Sequence, residues 1–132
     1  MAIFTAAEQT YADLIIDRID PERRYFQHRL YRHHCIKVGD IYVKDLRIID
    51  DRGLEDLVIV DNSILSFAAQ LDNGVPICSF VSAPLLTQQP EPTLDQELLY
   101  LITYLEEIFH HKDMRVANRK TFQFSHLLAT TT

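Results

Sequence analysis

Four polar side chains directly follow apolar, strand-like segments and could meet around one cleft. Thr5 follows Ala-Ile-Phe, Lys44 closes the segment Ile-Tyr-Val, and Asp61 and Asn62 follow Val-Ile-Val. In open α/β sheets, ligands bind beyond the carboxyl ends of the strands. These positions therefore predict a site that combines a hydroxyl, a cation and an acid–amide pair.

Each of these residues also has a purely structural interpretation when it is taken alone. The Thr5 hydroxyl could satisfy backbone groups at a strand end, and Lys44 could be a solvated charge of a hairpin. The sequence Asp-Asn-Ser at 61–63 is typical of a helix N-cap. Capping and ligand binding are compatible, so the sequence alone leaves both interpretations open.

Strands alternating with helices predict an α/β fold with a mostly parallel sheet. The first half predicts a buried strand over 2–6, a helix from 7 to about 19 and a short helix or turn over 22–31. Segments 35–38 and 41–43 flank Gly39 and predict a hairpin. The second half predicts a strand over 57–60, a short helix over 63–70, a strand over 75–80, a loop over 82–92 and a helix over 94–109.

Composition limits the classes of function. The 132 residues are 47% hydrophobic and 24% charged, with a formal net charge of −6, which argues against broad binding to nucleic acid. No apolar run approaches the roughly 18 residues of a membrane span.

Cys35 and Cys78 lie in apolar runs without metal-ligand spacing, which favours reduced core thiols. The histidines at 28, 33 and 34 favour a surface cluster over a zinc site.

Three segments together carry a family resemblance: I-F-T-A-A followed by Y-A-D, then Y-V-K-D-L, then V-I-V-D-N-S. Arg32, twelve residues before Lys44, fits the same spacing. From residue 2 to about 128, the chain resembles the RNA polymerase II C-terminal-domain phosphatases and NLI-interacting-factor-like phosphatases of the haloacid dehalogenase type. The branch of CTD small phosphatase-like proteins is particularly similar, through Y-R-H-H-C and Q-L-D-N-G-V-P-I.

This resemblance implies a haloacid-dehalogenase-like, mostly parallel sheet flanked by helices, with a small β-hairpin insertion. The domain would cover 1–128, and 129–132 would be a tail. The resemblance also implies a Mg²⁺ cofactor and a role for each site residue. Thr5 would donate to a phosphoryl oxygen, Lys44 would neutralise charge, Asn62 would bind Mg²⁺, and Asp61 would hold a metal-bound water or orient Lys44. The resemblance places Tyr11 and Arg32 at the border of the peptide groove.

The family's first motif, D-x-D-x-T, does not occur in these 132 residues. In the family it supplies the aspartate that is phosphorylated and a second aspartate that acts as general acid and base. We therefore expect a truncated phosphatase domain whose first strand is absent and whose Mg²⁺ site is incomplete. We expect negligible activity from this polypeptide alone. We also expect self-association through the exposed sheet edge, or a strand borrowed from a partner.

Two functional hypotheses follow. The first is part of a Mg²⁺-dependent serine/threonine phosphatase domain that acts on phosphopeptides such as the RNA polymerase II C-terminal domain. The second is a non-catalytic, phosphatase-like module that binds peptides, as in the mitochondrial import receptor type. The combination of Thr5, Lys44 and Asn62 favours the enzyme, and the absent first motif favours the binding module. An intracellular, nuclear or cytoplasmic location is favoured.

Overall fold

A computed structural model describes residues 1–80 and 95–130 of the chain, and these form a mixed α/β structure. The strands are β1 (Ala2–Phe4), β2 (His28–Leu30), β3 (Ile36–Val38), β4 (Ile41–Val43), β5 (Ile59–Asp61) and β6 (Gly74–Pro76). The helices are α1 (Gln9–Ile19), α2 (Glu97–Ile108), α3 (Met114–Phe122) and α4 (Phe124–Ala129). Short 3-10 segments cover Arg32–His34, Leu46–Ile48, Leu54–Asp56 and Ile64–Asn73.

Strands β1 and β2 pair in parallel, and α1 connects them. Ala12 and Ile16 on one face of α1 are buried against Tyr31, with Ile3 and Phe26 packed around them. Apolar residues four apart lie on one face of a helix, which explains why α1 covers this pair of strands. The predicted first strand and helix are therefore present, each slightly shorter than expected, but β1 is exposed to half-buried rather than buried as predicted.

A buried carboxylate shapes the turn that follows α1. Asp20 is only 1% exposed, and it accepts backbone N–H bonds from Arg24, Tyr25 and Phe26 at 2.9–3.0 Å. Burial raises the pKa of Asp20, but the backbone donors outweigh burial and hold this pKa below its usual value. These bonds fix a turn, so the alternative of a short helix over 22–31 is wrong. The segment ends as β2, which the sequence did not predict.

The hairpin agrees with its prediction. Strands β3 and β4 pair antiparallel, with Val38 opposite Ile41 at the tip. Gly39 adopts a φ of 60°, a left-handed conformation that glycine reaches without steric strain.

The third pair of strands, β5 and β6, is parallel and joined by the 3-10 segment Ile64–Asn73. Phe67 in this segment is fully buried and packs with Leu46 and Ile59. The segment contains non-helical backbone at Phe67 and Gln70, so the short helix predicted over 63–70 exists as two 3-10 turns. The strand predicted over 75–80 is shorter, ending at Pro76.

Helices α3 and α4 pack on the same 3-10 segment through one acidic residue. The Asp72 carboxylate accepts bonds from Arg119 (2.8 and 2.9 Å) and Ser125 (2.7 Å). Asn118, which is 2% exposed, donates to the Asp72 backbone oxygen and accepts from Tyr104. The sequence did not predict α3 and α4. The helix predicted over 94–109 is present as α2, and the loop predicted over 82–92 lies outside the described residues.

The described strands form three separate two-stranded ladders, two of them parallel. The mixed α/β class and the hairpin thus agree with the sequence, but these residues do not form the expected single, mostly parallel sheet.

Within 1–80 and 95–130, no helix has both the length and the apolar character needed to cross a bilayer. Both cysteines are free; Cys35 is half-buried, whereas Cys78 is exposed, so the prediction of a core thiol is wrong for Cys78.

Candidate functional site

A buried ion pair joins the end of the hairpin to the end of β5. Lys44 directly follows β4, Asp61 is the last residue of β5, and both are 8% exposed. The Lys44 ammonium donates to Asp61 Oδ2, while Asp61 Oδ1 accepts the backbone N–H of Ser63 at 2.8 Å. The Lys44 backbone N–H donates to Ser66 O at 2.7 Å. Both side chains are thus held in fixed orientations.

Thr5 lies immediately beyond β1 and continues the pairing with β2. Its N–H donates to Leu30 O at 2.9 Å, and its Oγ1 accepts the Ala7 N–H at 3.1 Å. The structural role expected of this hydroxyl is therefore present. A threonine hydroxyl that accepts one bond still has its own proton to donate. Thr5 can therefore stabilise the turn into α1 and donate to a ligand at the same time.

Cys35 lies near four of the predicted residues: Thr5, Arg32, Lys44 and Asp61. Its thiol is 3.8 Å from Thr5 O and from Tyr31 O. Burial raises the pKa of the Cys35 thiol, whereas the nearby charges of Lys44 and Arg32 lower it and that of Asp61 raises it. A single half-buried thiol thus contacts the Thr5 backbone and is within electrostatic range of the other three residues.

Arg32 lies beside the segment that carries Thr5. Its Nε donates to Ala6 O at 2.7 Å, and its Nη1 is 3.2 Å from the Glu8 carboxylate. Its guanidinium lies 5.1 Å from the centre of the Tyr42 ring. These contacts place a cation between the start of α1 and the hairpin.

Tyr11 and Asn62 lie at the surface. Tyr11 is on α1, and 62% of it is exposed. It is therefore not part of the core. Asn62 is exposed, and its Nδ2 donates to Ser79 Oγ at 2.8 Å. The Ser63 N–H donates to the Asp61 carboxylate rather than to Asn62.

A magnesium ion requires several oxygen ligands with near-octahedral geometry. Asn62 can offer an amide oxygen, but both Asp61 oxygens already accept bonds. In residues 1–80 and 95–130, no group of three or more His, Cys, Asp or Glu side chains could hold a metal ion. These residues therefore do not suffice for a magnesium site by themselves.

One residue of the histidine cluster, His34, has a structural role. His33 and His34 lie in the 3-10 segment Arg32–His34 rather than on a strand, with ring centroids 4.0 Å apart. His34 Nδ1 accepts the Tyr31 N–H at 2.8 Å. One imidazole is thus used in closing this turn.

Sequence reasoning missed Tyr42 and Cys35 as neighbours of the site. Tyr42 is two residues before Lys44 on an extended segment, and residues two apart project from the same face of a strand. The alternation Tyr-Val-Lys was the available signal for Tyr42. The position of Cys35 depends on the hairpin register. Strand β3, which follows Cys35, pairs with β4, which precedes Lys44.

Comparison with protein families gives an extensive match. Residues 1–115 match the model of the NLI interacting factor-like phosphatase family. The chain is 38% identical over 127 residues to CTD small phosphatase-like protein 2 of Dictyostelium discoideum, covering 96% of this chain and 20% of that protein. It is 42% identical over 106 residues to CTD small phosphatase-like protein 3 of Caenorhabditis elegans, covering 80% of this chain and 33% of that protein.

A third relative is CTD nuclear envelope phosphatase 1B of Danio rerio, which is 31% identical over 115 residues. That alignment covers 87% of this chain and 43% of the relative. The chain thus spans between a fifth and less than half of the length of these three relatives.

Proposed function

Because the chain belongs to the family of NLI interacting factor-like phosphatases, we propose that it is part of a protein serine/threonine phosphatase domain. Its role there is to hold the phosphoryl group of a phosphopeptide between Thr5 and Lys44. The observation that carries the proposal is the buried Lys44–Asp61 pair, whose charges act on the Cys35 thiol, and this thiol is 3.8 Å from Thr5 O. Phosphopeptides such as the RNA polymerase II C-terminal domain are the proposed substrate class.

Each residue has a distinct role in this proposal. Lys44 neutralises negative charge on the phosphoryl oxygens, and Thr5 donates its hydroxyl proton to one of them. Asp61 positions Lys44, because a carboxylate bonded to the ammonium fixes its direction and keeps a buried cation compensated. Arg32 extends the positive region toward the peptide. Tyr11, on the exposed face of α1, is proposed to border the peptide groove.

A magnesium ion would supply further charge neutralisation in a phosphatase of this kind. Asn62 would contribute an oxygen to it. The remaining ligands, including carboxylates, would have to come from outside the described residues, so the roles above are derived without the metal.

The D-x-D-x-T segment would supply the nucleophile, and we propose that it forms a strand between β1 and β5. In the described residues, β1 pairs only with β2, and β5 pairs only with β6. Each of these parallel ladders thus has a further edge, and unpaired strand edges favour the addition of a strand. A parallel strand inserted there would join both ladders into one haloacid-dehalogenase-like sheet and bring its aspartates close to Thr5 and Asp61.

A complementation assay tests this function. We expect the 132-residue chain alone to show no turnover of a phosphoserine peptide, since an aspartyl-phosphate cannot form without the nucleophile. Adding or fusing a strand that carries D-x-D-x-T should produce Mg²⁺-dependent release of phosphate. A strand whose first aspartate is replaced by asparagine is the matched control and should remain inactive.

The outcomes separate the two hypotheses. Turnover by the chain alone, or equal turnover with the asparagine strand, would contradict the proposal. Binding of the phosphopeptide without turnover after complementation would instead favour a non-catalytic peptide-binding module. The predicted self-association through a sheet edge is measured in the same samples by sedimentation.

A further inference from the structure

The β3–β4 hairpin has two chemically different faces. Lys37 pairs with Tyr42, whereas Ile36 pairs with Val43 and Val38 with Ile41. Since side chains alternate along a strand, Lys37 and Tyr42 share one face and the four aliphatic residues share the other. Continuing the alternation by one step brings Lys44 onto the side of Tyr42. The polar face of the hairpin therefore leads directly to the buried ion pair.

Two cations lie against one aromatic ring on this face. The Lys37 ammonium is 5.8 Å from the centre of the Tyr42 ring, and the Arg32 guanidinium is 5.1 Å from it. Both distances fall within the range of cation–π contacts, which hold a cation in place without neutralising its formal charge. The Tyr42 ring thus lies within cation–π range of two positive charges, and Tyr42 is two residues before Lys44.

These charges remain available to an anion. Within residues 1–80 and 95–130, Lys37 forms no ion pair with a carboxylate, and Lys37 is exposed. Arg32 is 3.2 Å from Glu8, but the two side chains are 41% and 70% exposed. Exposed pairs of this kind are weak and exchange readily.

We propose that Lys37, with Arg32 and Tyr42, is a specificity subsite for an acidic side chain of the peptide substrate. This inference rests on the proposed function, since it assumes that the phosphoryl group lies at Thr5 and Lys44. Tyr42 and Lys44 are two residues apart, or roughly 6.6 Å along a strand. An extended peptide advances by a similar distance over two residues. The preferred substrate therefore carries an aspartate or glutamate two positions from the phosphorylated residue.

Peptide binding by the 132-residue chain tests the subsite. One fluorescent phosphoserine peptide has alanine two positions before and after the phosphoserine, and its partner has aspartate at both positions. At low ionic strength we expect the acidic peptide to bind about 3- to 10-fold more tightly, and 0.5 M salt should remove most of this difference. Anisotropy titrations give the two dissociation constants.

Four variants define which residue is responsible. Lys37→Gln should reduce the preference to less than about 2-fold, and Lys37→Arg should retain it. Glu8→Gln removes the carboxylate that competes for Arg32, so it should strengthen binding of the acidic peptide about 2-fold. Lys112→Gln, which removes the same charge from an exposed position elsewhere, should leave the preference unchanged.

The results distinguish this inference from the function on which it rests. Equal binding of the two peptides, or a preference that survives in Lys37→Gln, would overturn the subsite while binding of the neutral phosphopeptide still supports the function. If the unphosphorylated neutral peptide binds as well as its phosphorylated form, both the function and the subsite are wrong.

Discussion

The Lys44→Met variant is expected to lose about 3–5 kcal/mol of unfolding free energy together with phosphopeptide binding. Lys44 and Asp61 are each 8% exposed, so removing the ammonium leaves a buried carboxylate without its counter-ion. Breaking a buried pair from one side costs far more than the pair contributes, because the remaining charge stays desolvated. Methionine has a similar length and apolar stem, which keeps the loss of packing small.

A double-mutant cycle separates the structural from the binding role of this pair. Asp61→Asn removes the opposite charge but retains Oδ1, which accepts the Ser63 N–H. The double variant Lys44→Met/Asp61→Asn contains no uncompensated charge. Its loss of unfolding free energy should therefore be smaller than the sum of the two single losses by about 1–3 kcal/mol. Binding of the phosphopeptide should nevertheless remain absent, since the cation is gone.

Urea denaturation followed by circular dichroism measures these stabilities. Lys112→Met is the matched control, because Lys112 is exposed and surface substitutions usually change stability by less than about 0.5 kcal/mol. A loss in Lys44→Met no larger than that in Lys112→Met would show that the ion pair is not the buried element described above.

Gly74→Ala is expected to destabilise the chain by about 1–3 kcal/mol through a steric clash alone. A Cβ at Gly74 would lie 2.1 Å from the Phe67 ring, and Phe67 is fully buried in the cluster beneath β5. Gly74 has an ordinary extended backbone, with φ −84° and ψ 136°, so alanine introduces no backbone strain there. The ring or the strand must therefore shift.

Gly53→Ala provides a control with a similar distance but a different neighbour. A Cβ at Gly53 would lie 2.3 Å from the carboxylate of Glu55, an exposed side chain that can rotate away. We expect a change of less than about 0.5 kcal/mol for Gly53→Ala. The double variant Gly74→Ala/Phe67→Leu should lose less unfolding free energy than the sum of the losses in the two single variants. Equal unfolding free energies for the two alanine variants would contradict the packing described for Phe67.

Local patterns in the sequence predicted the elements that depend on local chemistry. The helical spacing of Tyr11, Leu14, Ile15 and Ile19 predicted α1, although these four residues are exposed and the helix buries Ala12 and Ile16 instead. Gly39 predicted the hairpin turn. The polar residues after apolar runs identified Lys44 and Asp61, which the fold brings into one buried pair. In each case the sequence signal lies within a few residues, although the Lys44–Asp61 pair itself joins residues 17 apart.

Other features depend on partners distant in the chain. Strand β2 forms because it pairs in parallel with β1 and because the Asp20 carboxylate fixes the turn before it. Neither cause can be recognised in the sequence of residues 28–30. The position of Tyr42 under Arg32 and Lys37 depends on the hairpin register. Helices α3 and α4 are anchored by Asp72, about fifty residues earlier. Tertiary contacts of this kind override local propensity.

A titration of the ¹⁵N-labelled chain with phosphoserine, followed by NMR, tests most directly whether Thr5 and Lys44, with Asp61 positioning Lys44, bind one phosphoryl group. We predict saturable amide shifts at these three residues and their immediate neighbours, all with one dissociation constant, and no such shifts in Lys44→Met. Serine at the same concentrations should have no effect. Shifts confined to a distant region such as α3, or shifts at Thr5 and Lys44 with different dissociation constants, would contradict a single phosphoryl site.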